Sequence, residues 1–481
     1  MNKKFTFLSI HLALLLSMLM TSQFTEAKVK LPSIISDGMV MQQQSDVRLW
    51  GSADPQTNIT ISTSWGEKNT VKSDKNGKWL TTIHTPEASF DKQTISFSDG
   101  ESVSLSLYIG EVWLASGQSN MEMPLKGFAG ACTKNGALDA LHAAQESPYV
   151  RMFNVEKKQT YTRRNDCNGK WMEPTFENAM EFSATAYYFA SAMASALGVP
   201  VGIVNCSYGG ARVESWMSLE TCSEYPDVAT DSVSIFTSPK SWERAIAMYN
   251  AMFWPIHQYT VKGIIWYQGC SNVGTKDYAA RLERMVKQWR SEMDLGDIPF
   301  YQVQIAPYIY GKEDGVDAAY LREQQFIACN RIANCDIVCT NDLVEPYEKH
   351  NIHPREKRTV GLRLALLALN KTYDRKDIAC TGPRYDASKF SINGNTISVG
   401  FVTNEYGICR NYGLEGFEIA GNDRVFHTAK AVFNWQTNTV DLTSPDVPQP
   451  IAARYCFKDF QIGNVIGGNE LPLFPFRTDD W

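Results

Sequence analysis

The spacing of apolar and polar positions divides the chain into three stretches. From Lys28 to about Ser106, short β-favouring runs recur: Val47-Arg-Leu-Trp50, Ile59-Thr-Ile-Ser62, Trp79-Leu-Thr-Thr-Ile83 and Thr94-Ile-Ser-Phe97. Gly51, Asp74-Lys-Asn-Gly77 and Asp99-Gly100 punctuate them, and this spacing predicts a small sandwich. From Leu107 to about Tyr373 the pattern alternates between strand and helix. It predicts strands at 111–115, 150–154, 201–205, 262–267, 300–305 and 336–340, and helices at 182–197, 242–253, 278–293, 318–329 and 356–369. Such alternation implies an α/β fold: a doubly wound, mainly parallel sheet of flavodoxin-like type, with helices on both faces. Right-handed crossovers then bring every strand's C-terminal end to one rim. From about Ile378 β character returns, in Thr396-Ile-Ser-Val-Gly-Phe401, Phe417-Glu-Ile419 and Thr439-Val-Asp-Leu442. The expected division is 28–106 all-β, 107–375 α/β and 376–481 all-β. Whether the two β segments form one unit stays open at this level.

Composition narrows the classes. A chain of 481 residues that is 44% hydrophobic can bury a large core. A net charge of −6 without a basic run argues against a nucleic-acid partner. Residues 1–27 read as a signal peptide: Lys3 and Lys4, an apolar stretch over 5–20, then small residues in Thr25-Glu-Ala27. The apolar stretch is short and interrupted by Ser9, His11 and Ser17, so cleavage and export are expected rather than a membrane anchor. No other segment is long and apolar enough to span a bilayer. All eleven cysteines follow the signal, and the odd number leaves at least one thiol unpaired within a monomer. Cys329, Cys335 and Cys339 lack a Cys-x-x-Cys pair and a neighbouring histidine, so pairing or burial is expected there rather than a metal.

Chemistry is expected where the strands end, because ligands of such sheets bind beyond the C-terminal ends of strands. The first strand runs into Ala115-Ser-Gly-Gln-Ser-Asn-Met121, which places Ser119 behind a glycine that permits a sharp turn. Gly-x-Ser alone is a common match and carries little weight. The third strand ends in Ser207-Tyr-Gly-Gly-Ala-Arg212, the fourth in Gln268-Gly-Cys-Ser-Asn272, and the last leads to Asn341-Asp342 and His350-Asn-Ile-His-Pro354. Acyl transfer through serine needs a base and donors aimed at the developing oxyanion. His353, restricted by Pro354, is the better candidate base, with His350 as competitor. Gly209 and Gly210 can offer backbone N–H groups, and Gln268 and Asn272 side-chain amides. The plainer reading of those amides is turn structure and capping. Of the aromatics near the loops (Tyr208, Trp216, Trp266 and Tyr267) most are expected in the core. Arg212 offers a clamp for a substrate carboxylate or an ion pair with Glu214.

Together these stretches resemble the sialate O-acetylesterase family, within the SGNH-type (GDSL-like) carbohydrate esterases. The resemblance rests on Glu111-Val-Trp-Leu-Ala-Ser-Gly-Gln-Ser-Asn-Met-Glu122, Leu197-Gly-Val-Pro-Val-Gly-Ile-Val-Asn205 with Gly209-Gly210, Lys262-Gly-Ile-Ile-Trp-Tyr-Gln-Gly269 with Ser271-Asn272, and Ile352-His-Pro354 with Val360-Gly361. Leu31-Pro-Ser-Ile-Ile-Ser-Asp-Gly-Met-Val-Met-Gln42 extends it to the N-terminal β segment. It implies Ser119 as nucleophile, His353 as base, and an oxyanion hole from the Ser119 amide, the Gly209-Gly210 loop and the Gln268–Asn272 loop. The implied reaction is hydrolysis of sugar acetyl esters through an acetyl-enzyme, sialic acid foremost, with no metal or organic cofactor. Two positions depart from the family pattern. Cys270 stands where the family usually has Glu, and Asn351 and His350 stand where related esterases often have Asp. Asp342 is therefore the first choice to orient His353, with Glu345, Glu348 or a Ser-His dyad as alternatives. Two other readings stay open: an esterase of acetylated xylan or another glycan, and a glycan-binding protein with a degraded site. An ordinary histidine pKa of about 6.5 predicts kcat/KM falling near that pH, within about a unit.

Overall fold

The computed structural model describes residues 29–403, 407–409 and 412–481; the predicted signal peptide lies outside them. The organising element is a 16-residue strand, β1, Ser102–Gly117. In its first half Leu105 and Leu107 are buried while Ser102 and Ser104 are exposed; from Leu107 onward every residue is buried. An alternating half suits an antiparallel sheet with one wet face, and a continuous apolar half suits a parallel sheet covered on both faces. The structure follows this. Val103–Leu107 pairs antiparallel with the strand Ser89–Ser98, whereas Glu111–Gly117 lies parallel between two later strands.

Those belong to a sheet of β1 with β2 (Val150–Asn154), β3 (Trp171–Met172), β4 (Val201–Ser207), β5 (Gly263–Tyr267), β6 (Phe300–Val303) and β7 (Cys335–Val338). The spatial order is β7-β6-β5-β1-β4-β2-β3, parallel throughout except for β3 at the edge. Helices α1 (Ala184–Leu197) and α4 (Arg358–Lys371) cover the face presented by Trp113, Ala115 and Ile265. Helices α2 (Tyr278–Met293) and α3 (Asp317–Arg331) cover the face presented by Val112, Leu114 and Ile264. Ser183 caps the start of α1 by accepting the Ala186 N–H, and Gly198 ends it in the left-handed conformation, as its stop signal predicted.

Three expectations change. The mainly parallel sheet that was expected is part of a larger mixed one, because β1 extends into the N-terminal antiparallel strands. The boundary expected at 106/107 accordingly falls inside β1: the N-terminal sandwich shares that strand with the α/β sheet. The helix expected over 242–253 is replaced by a 3-10 turn, Ser241–Glu243, and a π turn, Tyr249–Phe253, because Ile246 between them takes a φ of +58°, which a continuous α-helix does not contain. The C-terminal strands form two four-stranded antiparallel sheets around their own core, including Ile397, Val399, Ile419 and Leu442. Ion pairs Arg384–Asp336 (2.7 Å) and Arg477–Glu323 (2.8 Å) dock them on β7 and α3. They share no sheet with the N-terminal strands. All eleven cysteines are free thiols, the sulfurs of Cys329 and Cys335 lying 3.5 Å apart. No helix among the described residues is long and apolar enough to cross a membrane.

Candidate active site

Three central strands end level with one another. Gly117 on β1 stands opposite Ser207 on β4 and Tyr267 on β5, so the loops that start at Gln118, Tyr208 and Gln268 leave the sheet side by side. Gly117 has a φ of +136°, and a Cβ there would lie 2.2 Å from the Tyr267 carbonyl oxygen, so the turn into Ser119 requires glycine. Ser119 begins the short helix Ser119–Glu122, half-buried, its hydroxyl free of hydrogen bonds to the described residues. Gly209 is its neighbour across the rim: a Cβ at Gly209 would lie 3.5 Å from Ser119 Cβ.

Behind the Gly209 and Gln268 loops lies a closed polar network. Gln118 Oε1 accepts the Gly269 N–H (2.9 Å). Buried Gln268 donates Nε2 to the Ala211 carbonyl (3.2 Å) and to Asn272 Oδ1 (2.7 Å). Asn272 Oδ1 also accepts the Val213 N–H (3.0 Å), and its Nδ2 donates to Glu214 (3.1 Å). The Glu214 carboxylate is buried and meets Arg281 at 2.7 Å and Arg212 at 3.4 Å. Asp227 and Asp277 hold the other guanidinium nitrogens of Arg281. Every member has a partner, which is the condition for a buried polar network to rigidify rather than weaken a fold.

The His353 segment is held differently. Asn120, next to Ser119, donates Nδ2 to the Ile352 carbonyl (2.9 Å) and accepts Lys357 Nζ at Oδ1 (2.7 Å). Lys357 also donates to the Pro354 carbonyl (2.7 Å). The His353 ring meets the edge of Phe128, with centroids 5.2 Å apart, and makes no hydrogen bond to a described residue. Burial, then the charge of Lys357, lowers its pKa to about 4. Two of the candidate base's surroundings are thus cationic or apolar, and none is a carboxylate in contact.

Residues 109–370 match the carbohydrate esterase family of sialic acid-specific acetylesterases. That is more than half of the chain, and it spans every loop described above. The chain belongs to this family. It is 26% identical to the human sialate O-acetylesterase over 392 residues, covering 73% of this chain and 72% of that protein. The mouse sialate O-acetylesterase is 26% identical over 418 residues, covering 73% and 75%. Among solved structures, a carbohydrate acetylesterase from Xanthomonas citri superposes with a TM-score of 0.83 at 30% identity, covering 94% of this chain and all of that one. The chain is a carboxylic ester hydrolase of the carbohydrate O-acetylesterase type.

Within this acetylesterase the loops of Ser119, Gly209 and Gln268 leave one rim side by side, and Asn120 ties the His353 segment to it, while Gln268 and Asn272 themselves are buried behind the loops. The structure gives several of the expected site residues other work. Asp342 is bound face-on by Arg363, at 2.7 and 2.6 Å, and makes no contact with His353. Buried Glu348 accepts the N–H groups of Glu345 and Arg355, both at 3.0 Å, so it staples its own turn. Gln268 directs its amide N–H groups to Ala211 and Asn272, and Asn272 directs its Nδ2 to Glu214. The Gly209 N–H goes to the Glu122 carboxylate, which Lys157 also holds (2.6 Å). The N–H groups of Ser119 and Gly210 take no acceptor among the described residues. Arg212 sits between Glu214 and Thr275 (3.1 Å) and, with Glu214, Asp227 and Arg281, lines a cavity of about 200 Å³ that neither Ser119 nor His353 borders. His350 is exposed, and Trp216, Trp266 and Tyr267 are core.

Two residues escaped the sequence reading. Trp242, 43% exposed, rests on Gly210: a Cβ at Gly210 would lie 2.3 Å from its indole. It was hidden inside the helix expected over 242–253. Lys357 left a fainter signal, a cation at a helix N-terminus, where the macrodipole disfavours it.

Proposed function

We propose that this acetylesterase removes O-acetyl groups from sugars, sialic acid foremost, through an acetyl-enzyme on Ser119 with His353 as base. The observation that supports this is the Asn120 link: the residue after Ser119 is hydrogen-bonded to the residue before His353, so nucleophile and base share one rim. His353 takes the Ser119 proton as Oγ attacks the acetyl carbonyl. The Ser119 and Gly210 N–H groups, which take no acceptor among the described residues, face the developing oxyanion. The sugar oxygen leaves with the proton held by His353, and water, deprotonated by the same ring, releases acetate. With Asp342 engaged by Arg363, the pair works as a Ser-His dyad, its imidazole steadied by Phe128 rather than by an acid. The arrangement belongs with SGNH-type hydrolases. Trp242 provides a platform for a sugar ring at the mouth of the site, and the Arg212 guanidinium a contact for a substrate carboxylate.

Turnover of a chromogenic acetyl ester tests the chemistry. Ser119→Ala and His353→Ala are expected to lose at least about 10³-fold in kcat; folded variants as active as wild type would sink the assignment. A panel of acetylated sialic acid, acetylated xylan and simple sugar acetates tests the substrate. Equal effects of Arg212→Ala on charged and neutral sugars would remove the case for sialic acid.

A further inference from the structure

Lys357 is 1% exposed and makes no ion pair with a described residue. Its two hydrogen bonds run to Asn120 Oδ1 and to the Pro354 carbonyl, and Asn120 in turn donates to the Ile352 carbonyl. The chain of bonds starts one residue after Ser119 and closes on both residues that flank His353. We infer that Lys357 is a positioning residue, fixing the base turn against the nucleophile turn through Asn120 and Pro354. The inference rests on the Ser119–His353 reading.

The groups around Lys357 explain why a cation can stand here without a counter-ion. From β5 and its loop come Tyr267, whose ring centroid is 5.8 Å from Nζ, and Cys270. From its own segment come Glu348, Glu356 and His353. The Cys270 thiol is buried beside Tyr310, Lys357 and Asn120, and burial raises its pKa, so it is uncharged at neutral pH. Glu348 is engaged by backbone N–H groups, and Glu356 pairs with Lys134 at 3.4 Å. Burial therefore dominates and lowers the Lys357 pKa to about 7. Its amine and its ammonium both have enough protons for two acceptors, so the tether persists while the charge changes. Below about pH 7 the ammonium opposes protonation of His353 and keeps the base free in mild acid.

Two variants separate tether from charge. Lys357→Met removes both; Lys357→Gln keeps an amide able to donate twice and removes only the charge. Both are measured by steady-state kinetics on a chromogenic acetyl ester across pH, with circular dichroism as the check on folding. The Met variant is expected to lose about 10- to 100-fold in kcat with KM changed less than about threefold. Its acid limb moves up by about half a unit or more. The Gln variant loses less kcat and shows the same upward movement, and it carries the test if the Met variant does not fold. Both variants within twofold of wild type with an unmoved acid limb, or a raised KM at unchanged kcat, would overturn the role. Wild-type turnover by Ser119→Ala would instead overturn the underlying assignment, whatever Lys357 does.

Discussion

The two walls of the site are built on opposite electrostatic plans. The wall formed by the Gly209 and Gln268 loops is backed by buried charge: Glu214 between Arg281 and Arg212, with Asn272 and Gln268 completing the contacts. The His353 wall, among the described residues, has no carboxylate paired with Lys357 or the His353 ring; it is held by Lys357, Asn120, Asn351 and the edge of Phe128, with Glu348 accepting backbone N–H groups. The first plan gives rigidity, because each charge is paired and each amide is satisfied. The second keeps the imidazole proposed as base unprotonated, because no carboxylate among the described residues meets its ring. The mechanism proposed above needs both: a stiff cradle behind the Gly209 loop, and an imidazole free to accept a proton.

Breaking the first wall should have the largest effect. Glu214→Ala removes the acceptor of buried Arg281 Nη1 and Asn272 Nδ2, while Asp227 and Asp277 still hold Arg281, and should lower stability by about 3 kcal/mol in urea unfolding. A loss below about 1 kcal/mol would mean the wall is not charge-built. The second wall predicts the pH profile. With the folded His353 pKa near 4, kcat/KM should stay level from about pH 8 to 5 and fall near 4, rather than near 6.5 as sequence alone suggested. The lowered pKa also sets the sign of a stability effect. The unfolded chain takes up this proton first, so the contribution of His353 is full above about pH 6.5 and declines as pH falls from there toward 4. A limb near 6.5 would show that the imidazolium finds a partner. Smaller is the effect at the mouth, where Trp242→Ala should raise KM for acetylated sugars by about tenfold, roughly the value of one stacked ring, and leave a small chromogenic ester unaffected. Smallest in catalysis is Asp342→Asn. It should keep kcat within about twofold while lowering stability by about 1–3 kcal/mol through Arg363; a kcat loss of about 10³-fold or more would restore Asp342 as the triad acid.

The sequence by itself determined the order of strands and helices in the α/β region and which loops follow its strands. Helix 278–293 and strand 150–154 fall on their predicted residues, because period and apolar content report burial directly. Ser119 was legible because a β strand followed by Gly-x-Ser has a local geometric meaning, and the matching family motifs placed it in context. What only the tertiary structure decided is where each polar group directs its hydrogen bonds. Asp342 was expected near His353 and belongs to Arg363; the amides of Gln268 and Asn272 were expected at the oxyanion and belong to Ala211 and Glu214. The extension of β1 into two sheets, the break at Ile246 that brings Trp242 over Gly210, and the burial of Lys357 beside Asn120 likewise depend on partners far away in the chain. Apolar burial is written in local pattern, but a polar side chain's role is set by which long-range partner reaches it, and no local spacing records that.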